Sequence, residues 1–168
     1  VTNNATLPIK TQGTTVDTST YYFRNGNTTA LNQNVIIDDV TAPVPTVPVL
    51  SNVTAECSVA ALIAPTATDN CGGVVTVTNN ATLPITTQGT TVVTWTYADV
   101  NGNSTTQNQN VVIDDVTAPV PTVPVLSNVT AECLVAALTA PTATDNCGGV
   151  VTVTNNATVP ITTQGTTV

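Results

Sequence analysis

Thr90-Thr-Val-Val-Thr-Trp-Thr-Tyr-Ala-Asp-Val-Asn-Gly-Asn-Ser-Thr-Thr-Gln-Asn-Gln-Asn-Val-Val-Ile113 is the stretch whose reading decides the fold. Its first part alternates: Val93, Trp95 and Tyr97 share one face of an extended chain and threonines take the other, the period-two pattern of a half-buried strand. Asp99-Val-Asn-Gly-Asn103 is turn chemistry, and Thr105–Ile113 reads as the returning strand of a hairpin. β-Branched residues dominate on both sides, and nowhere in the chain is there a convincing helical period. The expectation is an all-β fold with Val93, Trp95 and Tyr97 in its core.

Outward from this hairpin, Val47–Leu50 reads as an edge strand, because prolines at 43, 45 and 48 cannot donate ladder hydrogen bonds in a central one. Asn52–Cys57 and Ala61–Thr68 read as further strand segments. Asp69-Asn-Cys-Gly-Gly73 reads as a turn, Val74–Asn79 as a strand, and the stretch near Pro84–Thr87 as a short one. Short strands punctuated by Gly, Asn and Pro every 8–12 residues are the pattern of a β-sandwich.

The same text recurs. Val40–Val92 and Val116–Val168 differ only at Ser58/Leu134, Ile63/Thr139 and Leu83/Val159, and Val1–Val16 matches Val77–Val92 except at Lys10/Thr86. The offset is 76 residues, too long for a helical solenoid repeat and about right for a small β domain. The expected organisation is a window on a longer array: residues 1–39 as the C-terminal part of one repeat, 40–115 as a complete repeat, and 116–168 as the N-terminal part of the next. Asp38-Asp-Val-Thr-Ala-Pro43 and Asp114-Asp-Val-Thr-Ala-Pro119 read as short, stiff linkers that set the domains end to end. The first copy departs from the pattern, with Asp17, Ser19 and Phe23 where the complete repeat has Val93, Trp95 and Asp99. Two polar side chains would then face the core, which is costly without partners.

With two basic residues against ten acidic ones, the chain carries a net charge of −8, which argues against nucleic acid or an anionic membrane as partner. No apolar run approaches the length of a membrane span. The absence of histidine excludes Ser-His-Asp and Cys-His nucleophiles and histidine metal sites, and no Gly-rich phosphate loop opens a helix, so the chain does not read as an enzyme.

Cys57, Cys71, Cys133 and Cys147 fall one pair to a repeat, 14 positions apart in each. Pairing within a repeat is the simplest connectivity, with free buried thiols as the alternative, and a disulfide implies an oxidising, extracellular setting. Carboxylates form the other constellation. Asp69 and Asp99, on turns at the entry end of a sandwich, are expected to approach the linker pair Asp38/Asp39, with Asp114, Asp115 and Asp145 repeating the arrangement. Such oxygen ligands suit Ca²⁺. The alternative is that these residues only supply turn geometry.

The runs Ala64-Pro-Thr-Ala-Thr-Asp-Asn-Cys71, Thr90–Asp99 and Asn101-Gly-Asn103 resemble the HYR family of immunoglobulin-like extracellular domains, which carries a Pro-x-Ala-x-Asp-Asn turn and a later Val-x-Tyr-x-Ala-x-Asp-x-x-Gly-Asn hairpin. The uniformity of the copies, with their Thr-Gln-Gly-Thr-Thr-Val and Asp-Asp-x-x-Ala-Pro elements, is similar to the repeat regions of SprB-type giant surface adhesins of gliding Bacteroidetes, exported by the type IX system. That resemblance implies tandem HYR-like sandwiches in a cell-surface filament or stalk for attachment and gliding. Its partners would be neighbouring repeats and other filament chains, with an unknown surface or carbohydrate ligand. The competing expectation is a carbohydrate-binding or accessory module of a secreted enzyme.

Overall fold

The computed structural model describes residues 1–166, and they form an all-β fold. In chain order the strands are β1 (Thr2–Asn3), β2 (Gly13–Tyr22), β3 (Thr28–Ile37), β4 (Val44–Pro45), β5 (Val53–Ala55), β6 (Ala67–Thr68), β7 (Thr76–Asn79), β8 (Gly89–Ala98), β9 (Ser104–Ile113), β10 (Val120–Pro121) and β11 (Ala143–Thr144). The complete repeat builds a four-stranded sheet in the order β5-β9-β8-β7, and β4 pairs with β6 in a separate two-stranded ribbon. The first copy forms the sheet β1-β2-β3, and the following copy repeats the small ribbon as β10-β11.

Contacts divide the chain into two compact units. One comprises Val1–Leu50, Ala64–Asn80 and Thr94–Asn108, and the other Ser51–Ile63, Ala81–Val93 and Gln109–Val168. Each unit draws on two copies of the repeat.

The hairpin forms as its alternation requires. Val93 and Tyr97 are fully buried and Trp95 is 2 % exposed, while Val111 and Ile113 on β9 are also fully buried. Burying side chains of this kind contributes roughly 1.5–3 kcal/mol each. The Tyr97 hydroxyl donates to Gln107 Oε1 at 2.7 Å, which meets the need of its one polar atom. In the first copy the aligned Asp17 and Ser19 are half-buried, and Asp17 Oδ1 is shielded from water with no hydrogen-bond partner, the cost foreseen for a polar residue on that face.

Three strand expectations need correction. The edge strand is Val44–Pro45, paired antiparallel with Ala67–Thr68, and not Val47–Leu50. The Val47 carbonyl instead accepts the side-chain amide of Gln107 at 2.8 Å. The long segment Ala61–Thr68 contributes a strand only over its last two residues, because Pro65 interrupts the donor pattern. Pro84–Thr87 reduces to one bridge, Ile85 with Val59, both buried.

Candidate functional site

β5 runs parallel to β9, pairing Ala55 with Ile113, and the Asp114 amide donates to the Ala55 carbonyl at 3.0 Å. This brings Glu56 and Cys57 to the end of β9, where the chain leaves the complete repeat. Gln88 fixes both sides of the exit: its Nε2 donates to the Glu56 carbonyl at 3.2 Å and its Oε1 accepts from the Asp115 amide at 3.1 Å. Asp115 Oδ1 then accepts from the Thr117 amide at 3.1 Å and turns the chain into the linker.

The following copy meets this corner with its Asp145–Gly149 turn. Asp145 Oδ1 accepts from the Cys147 amide at 2.9 Å, and Gly148 and Gly149 take φ of 75° and 92°, a left-handed pair that glycine adopts at little cost. Glu56 Oε2 accepts from Asn146 Nδ2 at 2.7 Å and from Thr117 Oγ1 at 3.0 Å. Beside this carboxylate Cys57 is disulfide-bonded to Cys147, with an S–S distance of 2.01 Å and Cα atoms 4.8 Å apart, across 90 positions of sequence. A groove of about 720 Å³ runs past the bridge, lined in part by Gln88, Asp115 and Gly148.

The expected pairing within each repeat, Cys57 with Cys71 and Cys133 with Cys147, is therefore corrected: the bridge joins two successive copies, and Cys71 and Cys133 are free and exposed. The reason lies in β9. Cys57 belongs to the end of that strand, through Ala55 and Ile113. Cys71 clusters with Asp39, whose carbonyl accepts from Asn103 Nδ2 at 3.0 Å, just before the strand begins. A ten-residue strand is about 33 Å long, whereas bonded cysteines need Cα atoms within about 7 Å.

The carboxylates are only partly gathered as expected. Ligand atoms of Asp39, Asp69 and Cys71 lie within 4.8 Å of one another, as do those of Asp115, Asp145 and Cys147. Asp38 and Asp114 are exposed and belong to neither cluster. Asp39 is 7 % exposed, its amide donating to Gln12 Oε1 at 3.0 Å and its Oδ1 accepting from the Thr41 amide at 3.1 Å. Asp69 Oδ1 accepts from the Cys71 amide at 2.9 Å, while its buried Oδ2 has no hydrogen-bond partner. Partial desolvation, followed by the carboxylates of Asp39, Asp69 and Asp99, pushes the Cys71 thiol up from its ordinary pKa.

Asp99 spends its oxygens on its own turn. Oδ1 accepts from the amides of Asn101 and Asn103, both at 2.9 Å, and Oδ2 from Asn103 Nδ2 at 2.8 Å. Desolvation opposes its charge, but the Asn103 side chain and the backbone amides of Asn103, Asn101 and Gly102 outweigh it and hold the carboxyl below its usual range. Chemically, the Asp39/Asp69 pair offers hard oxygen donors of the type that Ca²⁺ takes. In the second cluster Cys147 is committed to the disulfide and has no thiolate to give. Sequence reasoning passed over Glu56, Gln88 and Asn146. Their signal was present, since Glu56 recurs as Glu132, Gln88 as Gln12 and Gln164, and Asn146 as Asn70.

Comparison with known proteins agrees with this architecture. Residues 45–113 match the family described as the HYR-like domain with four cysteines, and the fold is immunoglobulin-like. The matched segment contains two cysteines, Cys57 and Cys71. The chain is 37 % identical over 153 residues to Hyalin of Strongylocentrotus purpuratus, an alignment that takes in 81 % of this chain and 13 % of that protein. No solved structure matches the chain. Among the described residues, no helix is long and apolar enough to cross a membrane.

Proposed function

We propose that this chain is a structural segment of an extracellular, adhesion-related filament or stalk, in which successive immunoglobulin-like repeats (residues 1–39, 40–115 and 116–168 as part, whole and part) are set end to end. The finer reading, a cell-surface adhesin of the kind used for attachment and gliding, rests on the likeness of its repeats to such proteins. The observation that carries the proposal is the Cys57–Cys147 bridge. A covalent tie between copies, backed by Glu56 clamping Asn146 and Thr117, suits an array that carries tension from one repeat to the next. The HYR-like match and the similarity to Hyalin support an extracellular location, and so does the disulfide itself. A carbohydrate-binding reading draws little support from the complete repeat, whose Trp95 and Tyr97 are buried and present no face on which a sugar could stack.

Within this function, Asp39 and Asp69 form a calcium site that stiffens the junction between the first copy and the complete repeat. Relief of carboxylate repulsion by the cation is the physical basis. Persistence length measured by atomic force microscopy on the longer repeat protein tests both parts. Reduction should shorten it, and chelation with EDTA should shorten it less. A persistence length unchanged by reduction refutes the stalk, and one unchanged by EDTA refutes the calcium site.

A further inference from the structure

The two free cysteines occupy half-built versions of the bridged corner. Cys71 stands where Cys147 stands one period on, and its surroundings repeat the far side of the Cys57–Cys147 junction. Asp69 Oδ1 accepts from the Cys71 amide at 2.9 Å as Asp145 Oδ1 does from Cys147, and the Asp39 amide donates to Gln12 as that of Asp115 does to Gln88. Gly72 and Gly73 take φ of 76° and 97°, close to the values at Gly148 and Gly149. Cys133 stands where Cys57 stands. The Glu132 carbonyl accepts from Gln164 Nε2 at 3.4 Å as Glu56 does from Gln88 at 3.2 Å, and Val135 pairs with Ile161 as Val59 does with Ile85. Both free thiols are exposed: Cys71 lacks the Glu-Cys corner opposite it, and Cys133 lacks the Asp-Asn-Cys-Gly-Gly turn together with the strand pairing that β9 gives β5 beside Cys57.

We propose that Cys71 and Cys133 are the open halves of two further bridges of the same kind, each completed by another copy of the repeat. Cys71 receives the thiol of a Glu-Cys corner, and Cys133 the thiol of an Asp-Asn-Cys-Gly-Gly turn. In such an array every junction carries one bridge and no repeat closes a disulfide on itself. Each closure is an oxidation. One thiolate attacks a disulfide donor and forms a mixed disulfide, the second thiolate displaces the donor sulfur, and the donor leaves as two thiols with the two electrons and two protons.

The test extends the chain by one period. Residues 93–168 are joined after Val168, with the added copy of Cys133 changed to Ser, and the protein is oxidised with glutathione disulfide, alkylated and cut before aspartate. The four native cysteines then fall on separate peptides, those of Cys57 and Cys133 being Asp39–Thr68 and Asp115–Thr144. The proposal expects the new C-terminal peptide, carrying the added copy of Cys147, to be bonded to Asp115–Thr144, with Cys71 the one alkylated thiol. It is overturned if that peptide is bonded to Asp69–Ala98, or if Cys133 and the added cysteine are both alkylated. The Cys57–Cys147 peptide pair in the same digest reports that the chain has folded, and its absence also overturns the proposal. Residues 1–76 joined ahead of Val1 test Cys71 in the same way: their copy of Cys57 should bond to it.

Discussion

Replacing Cys147 with Ala removes the disulfide that joins the complete repeat to the following copy. The loop it closes has a sequence separation of 90, and in the chain-entropy account a loop of that length stabilises the folded state by about 4.6 kcal/mol. A bridge between Cys57 and Cys71 would close a loop of about 15 residues and contribute about 3 kcal/mol. The two pairings are therefore separated by which variant loses stability as well as by how much. Urea unfolding monitored by Trp95 fluorescence should show Cys147→Ala destabilised by about 4–5 kcal/mol relative to the oxidised parent. The accompanying fall in Tm should be about 10–15 °C for a chain of this size. Cys71→Ala, at an exposed and unbonded position, should fall within about 0.5 kcal/mol of the parent. The reasoning is refuted if Cys71→Ala is the costly variant and Cys147→Ala the neutral one, because the bridge would then lie within the repeat.

Trp95→Ala empties a site that is 2 % exposed and should cost about 3–5 kcal/mol, read as a lowered urea midpoint with unchanged slope. A midpoint within experimental error of the parent would show that the hairpin does not carry the core. The depressed pKa of Asp99 gives a pH dependence of definite sign. Its contribution is complete above the unfolded-state value of about 3.9 and disappears as pH falls through the lower folded-state value. Asp99→Asn should therefore remove part of the acid sensitivity of Tm below about pH 4, and parallel Tm–pH curves for variant and parent would contradict the assignment.

The central hairpin was legible because alternation is a local property. Val93, Trp95 and Tyr97 point inward by their spacing alone, and Asp99–Asn103 supplies its own turn. The short strands were less so. Whether Val44–Pro45 or Val47–Leu50 joins a ladder depends on which residues lie opposite, and Ala67–Thr68 is 20 or more positions away. The disulfide was hidden for a related reason. Equal spacing within each copy favoured Cys57 with Cys71, and only the parallel register of β5 with β9 shows that Cys57 belongs to the exit corner. Among the carboxylates, adjacency misled. Asp38 and Asp39 are neighbours in sequence, yet beyond the end of β3 Asp38 is exposed while Asp39, its amide held by Gln12, is buried beside Asp69.

The Cys57–Cys147 bridge also changes what happens when the chain is pulled. Along the backbone the two residues are separated by 90 positions, about 300 Å of contour when fully extended, but through sulfur their Cα atoms are 4.8 Å apart. Tension arriving at Cys57 crosses the S–S bond and reaches Cys147 without loading the core between them. The repeat can lose its tertiary structure without lengthening the chain. Were Cys133 bridged in the same manner to the next turn, the shortest covalent route through each period would run back from Cys147 to Cys133, 14 residues in place of 76, with a contour of about 48 Å. Such an array behaves as a chain of nearly taut links, and its extensibility is set by sulfur chemistry and not by the unfolding of its domains.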